Sequence, residues 1–205
     1  MAGWILNRKK YKAFSFLVSV LIYTVNLALI SVCIKFGDCI FVGMRMDWYE
    51  HSVRLALQDD VFFLDKVELI LVTLVIVFSF VVIFSVLVVW GYRKLQLTGE
   101  TSETAQFLIQ GYSKGQLWQA LSGEAVIDLA VSLPFAFILS EIIIQRLCRQ
   151  SVFRLILTFS EQVVGKAFLY KFLPFVLLAA VFMVQAVFFL KKYYKHGLSR
   201  MLRGV

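Results

Sequence analysis

An all-α integral membrane protein with four transmembrane helices is the fold this sequence predicts, and three observations predict it. Hydrophobic residues make up 60% of the 205, with 20 phenylalanines and a mean hydropathy of +0.82, more apolar surface than a water-soluble core of this length can hide. Three uncharged stretches, Phe14–Ile34, Leu69–Trp90 and Phe172–Leu190, are each long enough to cross about 30 Å of hydrocarbon at about 1.5 Å per residue. With only two prolines in the chain, little interrupts long helices.

Taken in order, residues 1–13 place Trp4, Ile5 and Tyr11 among Arg8, Lys9, Lys10 and Lys12, which suits a short interfacial helix before the first span, 14–34. That span is too long for a cleaved signal peptide and no small-residue cleavage site follows it, so it is expected to be retained. An outer segment, Lys35–Glu68, includes Trp48–Leu57, a candidate surface helix, and leads to the second span, 69–90. Between the second and third spans lies the most polar piece, Lys94–Glu103, read as a loop in which Thr101 or Ser102 caps a helix from about Glu103 to Gln110. Gly111 interrupts that helix. Ser113, with Gln116 three residues later, then starts the helix that becomes the third span, 121–145. This span carries Glu124, Asp128, Pro134 and Glu141, so protein must shield it or its acids must sit near the interfaces. In the outer segment 146–171, Val152, Leu155, Ile156 and Phe159 fall at helical spacing, as in a helix on the outer leaflet, before the fourth span, 172–190. No internal repeat appears, so residues 1–205 read as a single membrane domain, with Ala130, Ala136, Ala179 and Ala180 as its close-packing positions.

Four spans put both termini on one side, and the basic clusters Arg8–Lys12 and Lys191–Arg203 make that side cytoplasmic. The net charge of +8 lies beside the membrane on both faces, with no nucleic-acid-binding motif, so anionic lipid headgroups rather than nucleic acid are the expected partner.

The chemistry of a catalyst is not expected. Ser160–Ala167 approaches a phosphate-binding loop, but Ser160 replaces its first glycine and Ala167 its magnesium-binding hydroxyl. The only histidines, His51 and His196, lie outside the spans, which argues against an intramembrane serine protease and a histidine-held metal. Cys33, Cys39 and Cys148 lack zinc spacing; a Cys33–Cys39 disulfide and free thiols both remain open. Glu124, Asp128 and Ser132 repeat at i, i+4 and i+8 and line one helix face. Two readings fit them: an ion path with Asp128 as an intramembrane polar site, or an interfacial Glu124 that pairs or caps, leaving Asp128 as the deep acid. Four helices enclose a path poorly, so a dimer that builds the path between subunits is expected.

The run Glu103–Glu124 resembles the signature of FtsX-like, or MacB-type, ABC transporter permeases. There a polar helix ends in a Leu-x-x-Gly-Ala-Ser-like turn, followed by Arg or Lys, Gln, an apolar stretch and a glutamate that opens the next span. Gly111, Ser113, Lys114, Gln116, Leu117 and Glu124 match in order; Tyr112 stands where a small residue is usual. The order of spans is similar too, with one span, an extracytoplasmic segment and three further spans.

The resemblance implies a permease subunit with no ATPase of its own, in a bacterial cytoplasmic membrane. Two copies, or two related permeases, would stand side by side over a pair of ABC ATPase subunits that bind ATP and Mg. It implies a cytoplasmic coupling helix before Gly111, with Glu103, Phe107, Leu108, Gly111, Tyr112 and Gln116 as ATPase-coupling residues. The large outer domain usual in MacB-type permeases is missing, since only Lys35–Glu68 occupies its place. Either a hydrophobic peptide or lipid-like substrate is handled within the membrane, or an extracytoplasmic accessory protein supplies the domain. The rivals are an FtsX-like signal transmitter that activates a cell-wall hydrolase, a small proton-coupled carrier using Glu124, Asp128 and Glu141, and an assembly or immunity protein without a transport role.

Overall fold

The computed structural model describes residues 13–45, 61–149 and 167–196. Five α-helices occur among them, α1 (Ala13–Arg45), α2 (Val61–Gly99), α3 (Thr101–Ile109), α4 (Lys114–Leu147) and α5 (Ala167–His196), and no strand. Four are long and apolar enough to cross a membrane, over Ala13–Ile40, Leu71–Gly99, Lys114–Leu147 and Phe172–Lys192, as expected of a multi-pass membrane protein. Several serines and threonines within these helices return their hydroxyls to the carbonyl one turn back, as in Ser19 to Ser15 (2.8 Å), Thr73 to Leu69 (2.7 Å) and Ser122 to Trp118 (2.6 Å). An apolar helix can therefore carry hydroxyls without presenting a bare donor to lipid.

Several helices outrun the uncharged stretches. α1 continues through Lys35 and Asp38 to Arg45, and α2 begins at Val61, which leaves only 46–60 between them. Charge at a membrane interface does not end a helix, and Gly37 alone costs about 1 kcal/mol, too little to break it. The loop expected over Lys94–Glu103 is helical. α2 runs to Gly99, and the pattern continues across Glu100, whose N–H donates to Gln96 O (3.1 Å) and whose carbonyl accepts from Thr104 N (3.0 Å). Glu100, rather than Thr101 or Ser102, is the residue before α3, and its side chain makes no capping bond. The expected helices at residues 1–12, Trp48–Leu57 and 152–159, and the stretch Ser160–Lys166, lie outside the described residues.

By packing the chain forms two compact units, each drawing on all four long helices. One comprises 27–45, 61–85, 137–149 and 167–174. Its core gathers Val32, Phe36, Cys39, Ile40, Leu71 and Ile144, with Phe78 stacked on Phe36 at 5.9 Å between ring centroids. Cys33, Cys39 and Cys148 are free thiols.

The other unit comprises 13–26, 86–136 and 175–196. Leu97, Leu117, Leu121, Ala186 and Leu190 form its apolar cluster, and Phe107, Leu108, Trp118 and Phe189 pack against it. Side-chain donors also tie one helix to the backbone of another: Ser132 Oγ to Val20 O (3.2 Å), Gln185 Nε2 to Trp90 O (2.9 Å) and Trp118 Nε1 to Met183 O (3.3 Å). Of the four alanines expected to pack closely, Ala136 and Ala179 are buried, whereas Ala130 and Ala180 are exposed. Positions one or six apart on a helix do not share a face, so all four could not pack alike.

Candidate functional site

The residues between α3 and α4 form a corner built from two capping motifs placed back to back. Gly111 adopts φ +87°, the left-handed region that glycine enters without a Cβ penalty. Its N–H bonds to Leu108 O (3.1 Å) and the N–H of Tyr112 to Phe107 O (3.1 Å), the paired bonds of a Schellman motif. The apolar contact that accompanies this motif is present as well, with the Tyr112 ring edge-on to Phe107 at 5.4 Å. One residue on, Ser113 N–H donates to Gln116 Oε1 (2.9 Å) and Gln116 N–H to Ser113 Oγ (3.3 Å), a reciprocal capping box that opens α4. Gly111, Ser113 and Gln116 thus hold two helices at a fixed junction with hardly any free chain.

The corner divides the sequence-predicted coupling residues into two groups. Phe107 and Leu108 are half-buried against the unit's own apolar cluster, and Thr104 and Ala105 are buried, so this side of α3 anchors the helix. Glu103 is half-buried. Gly111, Tyr112 and Gln116 are exposed, and with them Gln106, Ile109 and Gln110, which sequence reasoning passed over. Part of their signal was available: once 104, 105 and 108 are assigned inward, 106 and 110 fall on the opposite side at helical spacing, whereas the exposure of Ile109, one turn beyond Ala105, is not given by spacing. The outward surface carries two sizeable apolar groups, Ile109 (56% exposed) and Tyr112 (43%).

Glu124, Asp128 and Ser132 are all buried on one face of α4, as their spacing predicts. Ser132 is held by Asp128 O (2.7 Å) as well as by Val20 O. Glu141, in the other unit, is half-buried. Among the described residues no three His, Cys, Asp or Glu side chains gather as a metal site.

A polar hub in the same unit was not foreseen. Arg93, only 3% exposed, donates from Nη2 to Leu121 O (2.7 Å) and from Nη1 to Gln96 Oε1 (3.1 Å). Tyr23 also donates to Gln96 Oε1 (3.2 Å), while Gln96 Nε2 donates to Ser19 Oγ (2.6 Å) and Tyr92 Oη (3.3 Å). A trace of the hub is present in the sequence, since Ser19 and Tyr23 on α1, and Tyr92 and Gln96 on α2, are each spaced one turn apart. No protein-family model, no curated protein and no solved structure matches the chain.

Proposed function

We propose that this chain is the permease subunit of an FtsX/MacB-like ABC transporter in a bacterial cytoplasmic membrane, with both termini cytoplasmic and the α3–α4 corner as the surface on which a separate ATPase acts. One observation carries the reading: Gly111, Ser113 and Gln116, three positions of the resembled pattern, are the residues that build the corner. A rigid junction suits that task, because a push delivered to it moves helices instead of bending a loop. α3 would lie on the cytoplasmic face, anchored by Phe107 and Leu108, and would offer Gln106, Ile109, Gln110 and Tyr112 to the ATPase. ATP and Mg would be bound by that partner. A second permease, identical or related, would complete the path for a hydrophobic peptide or lipid-like substrate.

Purification from the native membrane in mild detergent, with mass spectrometry and an ATPase assay on the eluate, tests this reading. Recovery of an ATP-binding cassette subunit with vanadate-sensitive hydrolysis is the expected result. A pure preparation with neither would overturn it. The burial of Glu124 and Asp128 favours one rival, a proton-coupled carrier. For that rival, collapse of the proton gradient with ATP maintained abolishes transport and Asp128→Asn inactivates; the permease reading expects transport to survive both.

A further inference from the structure

The Gln96 amide makes every hydrogen bond open to it, two accepted at Oε1 and two donated from Nε2. Its partners come from α1 and α2, and Arg93 extends the set to α4 through the Leu121 carbonyl. We infer that Gln96, held by Arg93, is a positioning residue through which displacement of the α3–α4 corner reaches α1. The inference holds whichever protein supplies the push.

Two routes lead from the corner to Gln96, one to its side-chain amide and one to its main chain. Leu121 serves both ends of the first: its side chain belongs to the cluster on which Phe107 and Leu108 of α3 pack, and its carbonyl accepts from Arg93. The second is backbone, from Thr104 N to Glu100 O and from Glu100 N to Gln96 O. Apolar contacts tolerate sliding, because dispersion depends weakly on orientation, whereas an amide with four partners loses bonds on small rotations. α1 is therefore tied by directional bonds to α2 and, through Arg93, to α4, the helix that opens at the corner. A contiguous set of packed and bonded groups alone does not demonstrate coupling, so energetic coupling is the quantity to measure.

A double-mutant cycle on the full chain, unfolded in mixed micelles, makes that measurement. Gly111→Val perturbs the corner, Gln96→Leu cuts the hub, and Ser132→Ala, which loses the α4–α1 bond to Val20 O, serves as the remote control. The unfolding constant of Gly111→Val with Gln96→Leu is expected to depart from the product of the single effects by roughly threefold or more, and the pair with Ser132→Ala to stay within about twofold. If Gln96→Leu does not fold, Tyr23→Phe removes one hub donor and keeps the ring that packs on Phe182. Product behaviour in the hub pair, or equal departure in the control pair, would overturn the inference; loss of the ATPase partner alone would not.

Discussion

Substituting Gly111 separates backbone geometry from packing unusually well. A Cβ added at Gly111 meets nothing within 4 Å, so the cost of a side chain there comes from φ +87° and not from collision. An L-residue pays about 1–2 kcal/mol in the left-handed region, and a β-branched one roughly 3 kcal/mol. Against this stand the bonds the corner would lose by opening. The two Schellman hydrogen bonds contribute about 1 kcal/mol each and the Phe107–Tyr112 contact about 1 kcal/mol. Gly111→Ala should therefore keep the corner closed and lose about 1 kcal/mol, after allowance for the lower entropy of its unfolded chain. Gly111→Asn should lose less, since asparagine tolerates this region. In Gly111→Val strain and bonding nearly balance, so the variant should lose about 2–3 kcal/mol with the corner partly open. Denaturant titration in mixed micelles, followed by helical circular dichroism, gives the order Gly, Asn, Ala, Val. A valine variant as stable as the asparagine one would refute the reasoning, because it would mean that the backbone at 111 does not need the left-handed conformation.

Further outcomes follow from the same structure. Ser113→Ala and Gln116→Leu each remove one bond of the capping box, so each should destabilise by about 1 kcal/mol; a loss near zero for either in the same titration would deny its bond. Gln96→Leu should cost at least about 2 kcal/mol because its four partners lose their bonds. Gln185→Met should be nearly neutral, since Gln185 Oε1 accepts no hydrogen bond among the described residues while Nε2 makes one; equal losses in the two variants would contradict the bonding pattern. Ile109→Ser, at an exposed position, should leave the unfolding midpoint unchanged and reduce copurification of the ATPase several-fold; undiminished recovery would remove Ile109 from the docking surface.

Three of the four spans were legible in the sequence because each is an uncharged apolar run, and a run needs no knowledge of its neighbours; the span 121–145, broken by Glu124, Asp128 and Glu141, showed only as a shorter apolar core between acids. The corner was legible for a similar reason: a glycine, a serine and a glutamine at fixed offsets are local signals, and local hydrogen bonds satisfy them. Helix ends were less so, since neither Lys35 nor the polar residues after Lys94 break a helix unaided. Arg93 read as one of the bases beside the membrane because it follows the uncharged run that ends at Trp90. Buried Arg93 bonds to Leu121 O, 28 positions away, and half-buried Gln96 to Ser19, 77 positions away. Pattern within a single helix does not reveal such partners. Phe107 and Leu108 read as a surface for another protein, yet their own unit takes part of each, because Leu97, Leu117 and Leu121 converge beneath α3.

Photocrosslinking in the native membrane, with a diazirine amino acid at Tyr112, is the most direct test that the α3–α4 corner receives an ATPase. Position 84, where Phe84 is 68% exposed on the apolar α2, is the comparison site. The expected result is an adduct to an ATP-binding cassette subunit from position 112 and lipid adducts alone from position 84. Lipid adducts alone from both positions, in membranes where the ATPase is expressed, would contradict it.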